Sequence, residues 1–354
     1  MSPLPMQAAV SAPAGPSQAS GSAEPLLHRL EWTVLRRLDG LLQGDYRTLW
    51  RGTGLDLADL REYQHGDDVR HIDWNVTARL QIPHVRQYTE DRELTAWFLL
   101  DLSGSVDFGS GERTKLALSE GFVAALARLL TRRGNRVGAL LYHPGAADPH
   151  QRLAMLPPGA GRLQVLQLIS RMRRPPAAAP GRAAATRRGT AAQPAAAALP
   201  GATRLADLLS RAEGVLRRRS LVFVVSDFIS EAGWAEPLGR LARRHEVLAV
   251  RLLDPLEMAL PDVGLLTVED AETGEQLLVD TQDPAFRQRF ETLAAEHEQR
   301  LRDQLTRAGV DVLELATQDD LLAALLRYVA LRRQRARAHS GHRLPAALRS
   351  PVLA

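Results

Sequence analysis

The sequence predicts an α/β protein with a mostly parallel central sheet that is covered by helices on both faces. Two observations carry this prediction. Short apolar runs of strand length recur from Thr95 onward, and segments with the 3.6-residue apolar period of helices separate most of them. Neighbouring parallel strands need such crossover helices, and the helices then cover the two faces of the sheet.

The first predicted element is a short amphipathic helix at residues 26–42, where Leu and Val recur at helical spacing. Residues 43–94 are rich in charged and aromatic side chains and show little helical period. From Thr95 onward, strands and helices alternate. In chain order they are the strand 95–100, the helix 114–133, the strand 136–142, the helices 161–173 and 203–217, the strand 220–226, the helix 233–244 and the strand 246–253.

A hairpin interrupts this alternation in the C-terminal part of the chain. Residues 265–270 and 275–280 are apolar runs on either side of a turn that contains Gly, which is typical of two antiparallel strands. A helix is predicted at 284–308, and Gly309 follows where helices often end with a left-handed residue. The last predicted elements are a strand at 310–315 and a helix at 320–335.

Composition divides the chain into several parts. Residues 1–24 consist largely of Ala, Pro, Ser and Gly, and we expect them to be disordered. The Ala-, Pro- and Arg-rich insert at 175–200 is expected to be flexible for the same reason, since it has few large apolar side chains. The predicted organisation is a tail at 1–24, an N-terminal helix and charged segment at 25–94, an α/β domain at 95–335 and a basic tail at 336–354.

Composition also excludes several functional classes. The chain has no Cys, so it has neither a disulfide framework nor a thiolate metal site. No apolar run reaches the roughly 18 residues of a membrane span, and no secretory signal pattern is present, so we expect a cytoplasmic protein. The Arg-rich insert and tail would suit nucleic acid, but no aromatic side chains interleave with them, and nucleic acid is not the expected partner.

Polar side chains follow the predicted strand 95–100 directly. Asp101, Ser103 and Ser105 alternate, so in an extended turn they point the same way. One carboxylate and two hydroxyls are hard oxygen ligands of the kind that Mg²⁺ accepts. The carboxyl end of a strand is also where an open α/β sheet usually places a ligand. The alternative is a solvated turn, because Asp, Ser and Gly are common turn residues.

Two later segments extend this pattern. Asp227 ends the predicted strand 220–226, and Thr203 lies at the start of a predicted helix. With the first loop they resemble the metal-ion-dependent adhesion site of von Willebrand factor A-like domains. The resemblance implies a Mg²⁺ site, with Mn²⁺ or Ca²⁺ as substitutes, and the matching residues are Asp101, Ser103, Ser105, Thr203 and Asp227. Thr114 is an alternative to Thr203, which would serve equally well as a helix N-cap.

The charged segment before the first loop has an ordered pattern of its own. It contains Arg-x-Tyr at 61–63, Gly-Asp-Asp at 66–68, Arg70, Ile-Asp-Trp at 72–74 and Ala-Arg at 78–79. This order, followed by the Asp-x-Ser-x-Ser strand, resembles the bacterial family called domain of unknown function 58 (DUF58) over about residues 45–145.

The resemblance implies a von Willebrand factor A-like fold. It also implies a metal-dependent interaction module that works with a MoxR-type AAA+ ATPase in chaperone-like remodelling or maturation of other proteins. The chain has no Walker phosphate-binding loop, so ATP chemistry would belong to the partner.

Two interpretations of the charged segment stay open. Its Asp and Arg residues alternate, which favours a structural ion-pair network, and Trp74 is expected to be a packing anchor or an interface residue. The residues assigned to this network are Asp67, Asp68, Arg70, Asp73, Trp74 and Arg79. The three carboxylates would otherwise suit a metal-dependent phosphoester hydrolase. No nucleophile, general base or general acid is placed beside them, so we do not expect an enzyme.

Overall fold

The computed structural model describes residues 9–10, 56–64, 67–89, 94–132, 134–144, 146, 152–173, 203–269, 276–337 and 347–351. The predicted helix 26–42 and the insert 175–200 lie outside these residues, as do most of the two predicted tails. The chain divides into two units, of which the smaller is formed by residues 42–94.

Twelve strands and seven α-helices lie among the described residues. The strands are β1 (Ala9–Val10), β2 (Asp56–Glu62), β3 (His84–Thr89), β4 (Thr95–Asp101), β5 (Arg136–Tyr142), β6 (Leu153–Gly159), β7 (Leu221–Ser226), β8 (Glu246–Leu253), β9 (Leu265–Glu269), β10 (Gln276–Asp280), β11 (Asp311–Ala316) and β12 (Ala347–Leu348). The helices are α1 (Trp74–Leu80), α2 (Lys115–Arg132), α3 (Gly161–Arg173), α4 (Leu205–Val215), α5 (Ala235–Arg244), α6 (Pro284–Ala308) and α7 (Leu321–Arg337).

The larger unit is built on a seven-stranded sheet with the order β12-β11-β8-β7-β4-β5-β6. Every neighbouring pair in it is parallel except β5 and β6, which are antiparallel. The chain starts the sheet in its middle with β4, builds outward to β6, and returns to build the other half from β7. This doubly wound order brings the carboxyl ends of β4 and β7 side by side where the winding reverses. The predicted α/β fold class, with a mostly parallel central sheet, is confirmed.

The two faces of the sheet carry different parts of the core. Trp97 and Leu99 of β4 belong to a cluster with apolar side chains of α4, α5 and α6. Phe98 points to the opposite face, because successive side chains alternate along a strand. There it stacks on Phe223 of β7 with ring centroids 5.0 Å apart, and Phe122 of α2 packs edge-on against Phe223. Burial on both faces explains why the central strands are continuous apolar runs.

Some elements differ from the sequence prediction. The edge strand β6 was not predicted; it contains Pro157 and Pro158, which lack the amide hydrogen that a central strand needs. The antiparallel pair β2 and β3 and the short helix α1 of the smaller unit were not predicted either. The predicted hairpin is present as β9 and β10, and Gly309 ends α6 in the left-handed conformation with a φ of 71°.

None of the helices in the described part of the chain is both long enough and apolar enough to cross a bilayer.

Candidate metal centre

The three polar residues after β4 lie together in one buried loop. Asp101 is the last residue of β4, and a single 3-10 turn, Gly104–Asp107, follows it. The backbone N–H of Ser103 donates to Asp101 Oδ1 over 3.1 Å, and the hydroxyl oxygens of Ser103 and Ser105 are 3.0 Å apart. All three side chains are buried. The alternation seen in the sequence therefore brings one carboxylate and two hydroxyls together at the carboxyl end of the central strand.

A serine that sequence analysis did not assign completes the surroundings of Asp101. Ser226, the last residue of β7, donates its hydroxyl hydrogen to Asp101 Oδ2 over 2.7 Å. The Ser226 hydroxyl accepts in turn from the backbone N–H of Phe228 over 2.9 Å. This links the neighbouring carboxyl ends of β4 and β7 and fixes the orientation of the Asp101 carboxylate. The only sequence signal for Ser226 was its place beside Asp227 at a strand end.

Asp227 is held by a buried lysine. Lys115, at the start of α2, is 0% exposed and donates from Nζ to Asp227 Oδ2 over 2.8 Å and to Glu257 Oε1 over 2.5 Å. The other oxygen of Asp227 accepts from the backbone N–H of Ile229 over 3.0 Å. Both oxygens of Asp227 thus have a partner within the protein. Sequence analysis missed this role, although Lys115 is the only Lys among 45 basic residues.

The carboxylates of this site outnumber its cations. Burial and the nearby charge of Asp227 raise the pKa of Asp101 to about 7, although the hydrogen bonds of Ser226 and Ser103 oppose the shift. Burial also raises the pKa of Glu257, against the attraction of Lys115. Burial would lower the pKa of Lys115, but Asp227 and Glu257 outweigh it and the pKa is raised. Asp101, Asp227 and Glu257 therefore share one ammonium group, and two negative charges are left over when all three are ionised.

Thr203 and Thr114 lie in different surroundings. Thr203 is buried, and its backbone oxygen accepts from the Ser230 hydroxyl and from the backbone N–H of Glu231, each over 3.0 Å. These bonds tie it to the loop that follows Asp227. The N-cap position of α4 is Arg204, so Thr203 does not take the capping position that was its alternative. The Thr114 hydroxyl accepts from the backbone N–H of Ala117 over 3.1 Å and caps the start of α2.

The residues present fit a hard divalent cation. Asp101 supplies a carboxylate, and Ser103 and Ser105 supply two hydroxyl oxygens, which is a donor set that Mg²⁺ accepts with further positions left for water. A divalent charge would also balance the two excess negative charges. In the part of the chain that the structure describes, no group of three or more His, Cys, Asp and Glu is arranged to hold a metal.

The carboxylates of the charged segment have local structural roles. Asp67 forms an ion pair with Arg61 over 2.6 Å, and this partner lowers the pKa of Asp67. Asp68 accepts from the backbone N–H of Arg70 over 2.9 Å and caps a 3-10 turn. Asp73 accepts from two backbone N–H groups, 2.9 and 3.2 Å away, and caps α1. Asp67 thus has an ion-pair partner of the expected kind, whereas Asp68 and Asp73 also cap backbone amides. The wider ion-pair network stays a prediction.

The side chains of Trp74, Arg70 and Arg79 are exposed. The Trp74 side chain is 69% exposed, so the expectation that it anchors packing is wrong. A role for Trp74 at an interface stays a prediction.

Comparison with known proteins gives one family and several relatives. A family model described as "Protein of unknown function DUF58" matches residues 59–300. An uncharacterized protein of Mycobacterium tuberculosis strain H37Rv is 39% identical over 319 residues, which is 89% of this chain and 91% of that protein. An uncharacterized protein of Mycobacterium avium is 38% identical over 130 residues, covering 36% of this chain and 73% of that protein.

Solved structures with a similar fold are more distant. The conserved hypothetical protein BatB of Bacteroides thetaiotaomicron is 12% identical, with 69% of this chain and 98% of that chain covered and a TM-score of 0.39. The pilus adhesin SpaC of Lactobacillus rhamnosus GG is 10% identical, with 70% and 31% covered and a TM-score of 0.38.

Proposed function

Since the chain belongs to the DUF58 family of proteins of unknown function, we propose that it is a metal-dependent protein-interaction module. The observation that carries the proposal is the buried loop after β4, where one carboxylate and two hydroxyls, those of Asp101, Ser103 and Ser105, lie together beside an excess of negative charge. The position at the carboxyl edge of the sheet, where the winding reverses, supports a binding role.

In this proposal Mg²⁺ is the cofactor, and Mn²⁺ or Ca²⁺ can replace it. Asp101, Ser103 and Ser105 would hold the ion directly. Thr203 and Asp227 would contribute from the neighbouring loops, and the pairing of Asp227 with Lys115 favours a contact of Asp227 through water. An ion with one direct carboxylate ligand retains much of its charge and attracts a further carboxylate. That ligand would be a Glu or Asp of the partner protein.

The proposed partner is a MoxR-type AAA+ ATPase, with unknown protein clients. The family resemblance of the segment at 61–79 and of the Asp-x-Ser-x-Ser loop supports this choice. The chain lacks a phosphate-binding loop of its own, so the ATPase would supply the energy for remodelling. The proposed activity belongs to the cytoplasm, and nucleic acid is not the proposed partner.

The test is binding to a purified MoxR-type ATPase from the same organism, measured by biolayer interferometry in Mg²⁺ and in EDTA. We expect Mg²⁺-dependent binding, and we expect the double change Ser103→Ala and Ser105→Ala to weaken it at least roughly tenfold. The reason is that the partner carboxylate would lose the cation that it neutralises. The matched control is Ser210→Ala, because Ser210 is an exposed serine of α4 outside the candidate metal centre.

Two results would contradict the proposal. One is a folded double-serine variant that binds the ATPase with wild-type affinity and without metal dependence. The other is metal-dependent turnover of a phosphoester substrate, which would favour the hydrolase alternative.

A further inference from the structure

A cavity of about 300 Å³ lies at the same edge of the sheet as the candidate metal centre. The N-terminal half of α6 and the hairpin of β9 and β10 form its walls, and the residues after β7 and in β8 form its floor. Open α/β sheets bind ligands in the crevice beyond the carboxyl ends of their strands. The volume falls at the lower end of the range of small-molecule sites.

The walls of the cavity are apolar. Leu260, Val268 and Val279 form a small hydrophobic cluster that is separate from the main core, and Phe286 and Phe290 of α6 pack against it. These side chains surround the cavity without filling it. A ligand would therefore need an aliphatic or aromatic body, which gains free energy by leaving water.

The floor carries polar atoms that have no partner. Arg251 is 6% exposed, its terminal nitrogens are paired with Glu298 and Glu314, and its Nε–H is buried without a hydrogen-bond acceptor. His297 Nε2 is likewise buried without a partner. Burial lowers the pKa of His297, and the cations Arg300 and Arg251 lower it further, so the ring is neutral near pH 7. A buried donor without an acceptor is costly, and a ligand that supplies one removes this cost.

The charge of the lining decides which acceptor is suitable. Asp227, Glu257 and Glu298 all border the cavity, and Arg251 is already neutralised by two carboxylates. The other cation of the lining, Arg289, is 70% exposed and pairs with Asp283. A carboxylate ligand would lie among these negative charges and would be repelled. A cationic group cannot accept the hydrogen of Arg251 Nε. A neutral carbonyl or hydroxyl oxygen satisfies the donor without adding charge.

We propose that this cavity binds a neutral, mainly apolar small molecule with one acceptor oxygen, which receives the Nε–H of Arg251. The body of the molecule lies between Phe286, Phe290 and the hairpin. The cavity shares Asp227 with the proposed metal centre, but its walls and its unpartnered donor belong to α6, β8 and the hairpin, so the proposal does not rest on a bound metal.

The test uses the full chain in EDTA, so that metal binding at the proposed metal centre does not affect the result. The probes are 2-octanone and octanoate, which match in length and differ in charge, and saturation-transfer NMR with titration measures their binding. We expect 2-octanone to bind, and octanoate to bind at least about tenfold more weakly, which corresponds to about 1.4 kcal/mol.

Two variants and a control locate the bound probe. Ala294→Trp fills the cavity from α6, and Leu293→Trp narrows its mouth at a position that is 56% exposed and tolerant of a larger side chain. Leu265→Trp adds the same ring to the hairpin at a position that is 70% exposed and outside the lining. We expect each of the first two changes to weaken 2-octanone binding at least about tenfold and the third to leave it unchanged. Circular dichroism verifies folding, and Leu293→Trp decides the result if Ala294→Trp does not fold.

Three outcomes would overturn the proposal. The first is no binding of 2-octanone to the wild-type protein up to its solubility limit. The second is octanoate binding as tight as that of the ketone, which would refute the neutral acceptor. The third is equal binding by the wild type and by the folded Trp variants at 293 and 294, which would place the probe elsewhere on the surface.

Discussion

Lys115 has the most unusual surroundings of the residues near the candidate metal centre. Its ammonium group is fully buried and lies between Asp227 and Glu257. A buried ion pair contributes little net stability, but the loss of one partner leaves the other charge buried and unpaired. Lys115 is therefore best understood as the cation that offsets the carboxyl groups of Asp227 and Glu257 beside Asp101.

The first prediction concerns the loss of this cation. Lys115→Met keeps much of the side-chain volume and removes the charge, so we expect it to lower the free energy of unfolding by roughly 3–5 kcal/mol in urea denaturation. The control is Arg204→Met, which breaks the exposed ion pair with Glu231 and should cost less than about 1 kcal/mol. Equal losses in the two variants would show that the buried pair is no more important than a surface pair.

The second prediction concerns the pH dependence of Asp101. Its pKa is about 7 in the folded protein and about 3.9 in the unfolded chain, so the fold favours the protonated form. The stability associated with protonated Asp101 is fully present below about pH 4 and is lost as the pH rises through about 7. In EDTA, the wild type should lose on the order of a few kcal/mol more than Asp101→Asn between pH 5 and pH 8. Parallel pH profiles of urea unfolding for the two proteins would contradict the shift.

At the scale of elements, α1 combines a buried cap with an exposed aromatic residue. Asp73 caps the first backbone amides of α1, whereas the adjacent Trp74 is largely exposed. The stability of this short helix therefore depends on the cap more than on the aromatic ring. The third prediction tests that difference.

We expect Asp73→Ala to destabilise α1 by about 0.5–2 kcal/mol, the usual cost of losing an N-cap. Trp74→Ala should change stability by no more than about 0.5 kcal/mol, because an exposed side chain loses few contacts. Hydrogen exchange of the amides of residues 74–80 in the full chain measures both effects. A larger loss of protection in Trp74→Ala than in Asp73→Ala would show that the ring packs in solution.

The elements that could be predicted are those with a clear pattern of apolar residues, either periodic or continuous. β4 and β7 are buried on both faces, so their sequences are continuous apolar runs with a polar residue at the end. β6 was not predicted because its two prolines are typical of loops. They are compatible with a strand here because β6 lies at the edge of the sheet, where one side of the strand needs no backbone donors. The strands β2 and β3 were not predicted because they contain many charged side chains and show no clear alternation of polar and apolar residues.

The candidate site was predictable where it is local in sequence. Asp101, Ser103 and Ser105 belong to one loop, and their alternation is visible in five residues. Lys115 is 112 residues from Asp227 and 142 residues from Glu257, and only the folded sheet brings them together. The charge balance of the site, which favours a divalent cation, is therefore a property of the whole molecule.

The fourth prediction concerns the whole molecule and its stabilisation by Mg²⁺. A ligand that binds only the folded state stabilises it by about 2.7 kcal/mol at a hundredfold excess over its Kd, so Mg²⁺ should raise the Tm of the wild type in a thermal melt. Asp101→Ala should abolish the Mg²⁺-dependent shift. Asp107→Ala removes a carboxylate from the 3-10 turn that follows Asp101, and this variant should retain the shift. A shift of the same size in Asp101→Ala would refute Asp101 as a ligand.

The edges of the seven-stranded sheet have a consequence for the behaviour of the protein at high concentration. An open sheet can recruit strands from other molecules through unpaired backbone groups at its edges, and this is a common route to aggregation. Here β6 closes one side with Pro157 and Pro158, which have no amide hydrogen to offer, and β12 pairs with part of β11 at the other side. Replacing the two prolines with Thr would restore donors on β6 and is expected to make the protein prone to ordered self-assembly.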